Sequence, residues 1–139
     1  MPSPTIRVQE TAQTTIPCPC GCAALCEQHD GMLHFGQGGG YFRALLVREP
    51  SGAPTIWLSI TTRGSADDPR DWLATLHGNA EGARIEDPEA SPVALPSPYP
   101  GRQLRREELL AIAGAPELYF ACFDALLEQH SRMRAFLFE

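Results

Sequence analysis

The chain contains no lysine; all 11 of its basic residues are arginine. That absence excludes a Schiff-base lysine, the lysine of a Walker phosphate loop and a Ser–Lys dyad. Long hydrophobic runs are missing as well. The longest apolar-rich stretches, Ala44 to Val47 and Leu118 to Leu127, fall far short of the roughly 20 residues that span a bilayer. No membrane role is therefore expected. The opening Met1-Pro-Ser-Pro4 lacks the basic and apolar segments of a secretory leader, so a cytoplasmic location is expected. A surplus of positive charge is also absent, because the formal net charge is −6. Nucleic-acid binding needs a basic face against the phosphates, and that class is set aside. The acidic balance leaves room for a basic protein partner, since opposite potentials speed and orient docking.

What is present fits a globular chain. Of 139 residues, 43% are hydrophobic and 20% charged, enough for one domain with its own core. An Arg-only, Ala-, Gly- and Pro-rich composition fits a GC-rich genome. We read residues 1–139 as a single domain in four parts. These are a strand and lead-in over 1–17, a Cys/His cluster over 18–34, a Pro-rich connector over 87–101 and a helical part over 102–139.

Strands are expected over Thr5 to Val8, Met32 to Phe35, Tyr41 to Val47 and Thr55 to Thr61, with a further one over Ala83 to Glu86. Gly36 to Gly40 reads as a hairpin turn, since it lacks the lysine and following helix of a phosphate loop. Asp68-Pro69 has the signature of a helix start, and that helix would end near Gly78-Asn79. His77 would then sit at a helix end. Glu86, Asp87 and Glu89 read as a solvated acidic edge. Five prolines at 88, 92, 96, 98 and 100 make the connector semi-extended. Arg105 to Ala113 reads as a helix stopped by Gly114. Pro116 opens another, to about His130, whose apolar residues recur at helical spacing. Cys122 lies on that stripe and reads as a small hydrophobe. The fold class is α+β: an antiparallel sheet of three to five strands, covered by C-terminal helices, with a Cys-rich N-terminal segment.

Four of the five cysteines fall in the run Cys18-Pro-Cys20-Gly-Cys22-Ala-Ala-Leu-Cys26, and His29 and His34 follow. Thiolates are soft ligands that suit zinc, which takes four ligands in a tetrahedron. Cys18-Pro-Cys20-Gly21 has the chemistry of a tight knuckle, and Cys26-Glu-Gln-His29 the spacing of a second ligand pair. The expected set is Cys18, Cys20, Cys26 and His29, with Cys22 and His34 as alternates. A reactive thiol would need nearby cations, and no basic residue lies between Arg7 and Arg43.

The Cys-Pro-Cys-Gly opening resembles the short zinc motif at the C-terminus of the bacterial preprotein translocase motor. That motif carries a further Cys or His about nine residues after its second cysteine, the position of His29 here. Cys22 has no counterpart in it. An N-terminal Cys/His cluster, the strand Ile56-Trp57-Leu58-Ser59-Ile60, an acidic Pro-containing connector and a C-terminal helix give a layout similar to that of small uncharacterised bacterial proteins. Some bacterial immunity proteins, which neutralise a toxin by binding it, are similarly small and acidic. These resemblances imply a non-enzymatic protein with a structural zinc site that acts by binding another protein, as an immunity or regulatory protein does. The alternative is a thiol-based redox sensor or enzyme.

Overall fold

In a computed structural model the described residues are 5–18, 24–35, 38–48, 52–63, 71–87, 104–112 and 114–138. Six strands come first: β1 (Ile6–Pro17), β2 (Leu25–Phe35), β3 (Gly38–Arg48), β4 (Pro54–Arg63), β5 (Asp71–Asn79) and β6 (Gly82–Ile85). Three helices follow: α1 (Arg106–Leu110), α2 (Ala115–Gln129) and α3 (Ser131–Phe138). The strands form one open sheet in the order β1-β2-β3-β4-β5-β6, and every neighbouring pair is antiparallel. The α+β class holds, with six strands rather than three to five. Among the described residues, no helix is long and apolar enough to cross a membrane.

Side chains on a strand alternate between faces, and here that alternation separates two clusters. Leu33, Phe42, Ala44, Leu46, Ile56, Leu58, Ile60, Ala74, Leu76 and Ile85 point to one face. Against them pack Leu109 of α1, Tyr119, Cys122, Phe123 and Leu126 of α2, and Met133, Phe136 and Leu137 of α3. The tail therefore docks, as its apolar content implies. Leu45, Val47 and Trp57 point to the other face, where they join Cys18 and Cys26. The central strands are buried on both sides, which explains their near-continuous apolar runs.

Three expectations change. The segment after Asp71 is a strand, not a helix. Leu73, Ala74, Thr75 and Leu76 are all buried in succession, and β5 pairs with β4 on one side and β6 on the other. A helix packed on a sheet would expose one of those residues each turn, so two-sided burial overrides the start signal at Asp68-Pro69, which lies outside the described residues. His77 consequently sits in a strand, its ring stacked on Trp57 at 4.4 Å. Glu86 is no free acidic edge: it takes His77 Nδ1 at 2.9 Å and Arg84 Nε at 2.8 Å. The glycine run only partly serves a turn, because β3 begins at Gly38, opposite Phe35.

Two glycines position the helices. Gly114 has φ +77, the left-handed conformation glycine adopts without penalty, and turns the chain from α1 into α2. Gly78 presents bare backbone to the Phe123 ring, where a Cβ would come within 1.9 Å of a ring carbon.

Candidate metal centre

Strand β1 changes parity midway. Up to Glu10 its even residues share the helix-covered face, since Ile6, Val8 and Glu10 stand opposite Phe35, Leu33 and Gly31. The register shifts between Glu10 and Ala12, leaving Thr11 as the extra residue of a bulge. The Thr11 hydroxyl donates to the Asp30 carbonyl at 3.2 Å. Beyond the bulge Ile16 and Cys18 belong to the opposite face, with Cys26 and Trp57. The bulge thus leaves Glu10 beside His29 while sending the first cysteine to the other side of the sheet.

His29 is wholly buried. Its Nδ1 meets Glu10 Oε1 in a very short contact. Its Nε2 stands 3.4 Å from Glu27 Oε1, within ion-pair range, yet has no hydrogen-bond partner. His130, the residue between α2 and α3, brings Nε2 to within 3.1 Å of the same Glu10 oxygen. Its ring stands edge-on to that of His29, centroids 4.9 Å apart. Arg132 forks onto Glu27, with Nε at 3.0 Å from both carboxylate oxygens.

The electrostatics follow from these neighbours. Burial acts most strongly on Glu10 and would raise its pKa. The hydrogen bonds and charges of His29 and His130 outweigh it together, and the carboxyl titrates below its ordinary value. Glu27 is held low chiefly by the Arg132 hydrogen bond, against the opposing pull of burial, with His29 adding to the lowering.

One donor atom each from Glu10, His29 and His130 lies within 4.8 Å of the others, so the group could hold a metal ion. Imidazole nitrogens and a carboxylate oxygen suit a first-row transition metal. If Nδ1 of His29 held the ion, the ring proton would sit on Nε2, facing Glu27 at 3.4 Å. Glu27, fixed by Arg132, would then orient the ring as carboxylates do for metal-bound histidines. His130 behaves differently. Its Nδ1 accepts the Met133 backbone N–H at 3.4 Å, which places the proton of a neutral ring on Nε2. A metal at Nε2 would leave the ring proton on Nδ1, and the long cap bond from Met133 would be lost.

Of the ligand set expected from sequence, the described members Cys18, Cys26 and His29 do not share one face of the sheet. Cys26 and His29 are three positions apart on β2 and therefore on opposite faces. His34 shares the face of Cys26 but lies eight residues along the strand, roughly 25 Å away, and contacts Gln9 at 3.2 Å. Cys18 and Cys26 do come together, both buried on the second face. Cys20 and Cys22 lie outside the described residues. Glu10 and His130 were missed because they reach His29 only through tertiary folding. The one local hint was a histidine at a helix end.

Beside the two cysteines is a pocket of about 320 Å³, lined also by Arg48, Arg132 and Phe136. Both guanidinium groups lie over the Phe136 ring, at 5.3 and 5.9 Å. Two cations, from β3 and α3, thus line the same pocket as the cysteines. Cys122 differs, since burial among the helices pushes its thiol up to about 12. Comparison with protein-family models, curated proteins and solved structures finds no match to this chain.

Proposed function

We propose that this is a non-enzymatic protein-binding domain. Its helical layer is clasped to the edge of the sheet by a divalent metal, zinc by ligand type, at Glu10, His29 and His130. The observation that carries the metal reading is His29, wholly buried with one ring nitrogen lacking a hydrogen bond. Glu27 stands 3.4 Å from that nitrogen, and an ion on Nδ1 would draw the ring proton to Nε2 and favour its hydrogen bond to Glu27. The ligands come from β1, from β2 and from the junction of α2 with α3, so an ion there joins three separate stretches of chain. Structural metal sites of this kind stabilise the fold directly. The binding partner is a protein of basic surface, drawn by the net charge of −6. A toxin-neutralising or regulatory role fits that mode of action.

The test is zinc titration by calorimetry on chelator-treated protein. We expect uptake of one ion and a rise in melting temperature. His29→Gln should abolish both, while Cys18→Ser with Cys26→Ser leaves them intact. Loss of uptake in the cysteine variant alone would return the metal to the thiol cluster.

A second reading rests on the pocket shared by Cys18, Cys26, Arg48 and Arg132. Cations beside a thiol lower its pKa and favour the reactive thiolate. In this reading the cysteines act in thiol–disulfide chemistry, and the His–Glu group is a charge network that holds the helices.

A further inference from the structure

The outer edge of β1 is treated differently on the two sides of its bulge. On the N-terminal side the Gln129 side chain closes it. Its Oε1 accepts the Val8 N–H at 2.9 Å and its Nε2 donates to the Ile6 carbonyl. One amide thus bonds the strand as a neighbouring backbone would. It also shows that the backbones of Ile6 and Val8 point away from β2. They stand opposite Phe35 and Leu33, and the alternation of β2 runs unbroken through Gly31, His29 and Glu27. The residues opposite His29 and Glu27 are Gln13 and Thr15. Their backbone N–H and C=O groups therefore also point outward. Among the described residues, nothing bonds to that edge beyond Thr11.

This open half is built to pair. Thr11 to Thr15 is exposed, and Thr11-Ala-Gln-Thr-Thr-Ile16 carries no charge and no proline. Four of its six residues are β-branched, which favours extended pairing. Sheet edges are usually blunted by charge, especially lysine, and this chain has none to use.

We infer that the Thr11–Ile16 edge of β1 pairs antiparallel with the same segment of a second copy of this chain, extending one sheet through both. A two-fold axis normal to the sheet through Thr14 sets the register. Thr14 then faces Thr14 of the other copy, a favourable cross-strand pair. Gln13 faces Thr15, so both outward-pointing residues exchange backbone hydrogen bonds. Ala12 faces the half-buried Ile16 on the surface opposite the helices. Two copies with a net charge of −6 each repel elsewhere, and here they meet without a like-charge pair. A basic partner would instead seek carboxylates, which this stretch lacks. The inference stands apart from the metal reading, because Thr14 is none of the proposed ligands.

The test is sedimentation velocity on the full chain over a concentration series, with and without chelator. The wild type should form a dimer in both conditions, whatever becomes of the metal. Thr14→Glu and Thr14→Lys each set like charges face to face and should weaken association about fivefold or more. An equimolar mixture of the two should restore a dimer containing one of each. Thr14 is exposed, so both variants should melt like the wild type. A wild type that stays monomeric, or variants that dimerise as it does, would overturn the inference.

Discussion

The imidazole of His130 stands edge-on to that of His29, with centroids 4.9 Å apart and ring planes at 78°, and both rings reach Oε1 of Glu10. Two histidines a hundred residues apart thus share one carboxylate oxygen. The contact fastens the junction of α2 and α3 to the first two strands. It makes the stability of the helical layer depend on the charge state of a few side chains.

Removing His29 should expose that dependence. His29→Leu leaves Glu10 and Glu27 facing an apolar side chain. We expect a loss of about 1–3 kcal/mol in urea denaturation, since the carboxylates are only partly buried. His130→Ala should cost less, because its ring is nearer the surface.

The acid limb of the stability curve should carry the Glu27–Arg132 contact. Glu27 has a folded pKa below its ordinary value of 4.5. A depressed carboxyl contributes stability that is complete above the unfolded value and is lost as pH falls through the folded one. Denaturation midpoints should therefore drop below about pH 4.5 as the unfolded state takes up protons first. Glu27→Gln should lower stability at neutral pH and flatten the acid limb. A variant with the same acid profile as wild type would remove Glu27 from this account.

Gly78 and Phe123 should behave as a coupled pair. Gly78→Ala sets a methyl group into the Phe123 ring, where the gap is 1.9 Å. Overpacking of this kind costs about 1–3 kcal/mol. Phe123→Leu, destabilising by itself, should recover part of that loss in the double variant. Equilibrium unfolding of the four proteins gives the coupling energy directly.

Hydrogen exchange should report the Gln129 contact. In Gln129→Ala the Val8 amide loses its acceptor and should exchange faster, with a stability loss of about 0.5–1.5 kcal/mol. The amides at the centre of the sheet should keep their protection until global unfolding.

Cysteine reactivity should separate the two environments. Cys122, buried with its thiol pushed up to about 12, should resist alkylation until the protein unfolds. If Arg48 and Arg132, which line the same pocket, activate these thiols, Arg132→Gln should slow the labelling of Cys18 and Cys26. Unchanged labelling would count against the redox reading.

Local sequence carried much of this molecule. The β-branched run of Thr55 to Thr61, the glycine at 114 and the helical spacing from Leu118 to Leu127 each specify their element, because the cause lies within a few residues. The same reasoning failed at Leu73 to Leu76. There a capping signature competes with burial on both faces, and burial is decided by strands remote in sequence. It also failed to separate Cys26 from His29. Spacing in sequence says how far apart two ligands are but not on which side of a strand they fall. Cys26 and His29 make an acceptable ligand pair in a loop and an impossible one in β2, where an odd separation sends them to opposite faces.

The sequence by itself determined that this is a lysine-free, acidic chain with a core of its own, an antiparallel sheet and C-terminal helices. Those properties depend on residue counts and on short-range stereochemistry. Only the tertiary structure decided which side chains meet. The bulge at Thr11 assigns Glu10 to one face and Cys18 to the other. The return of α2 brings Gln129 to Ile6 and Val8, and His130 to Glu10. A close contact between groups distant in sequence depends on every turn and register in between, and no local pattern encodes that sum.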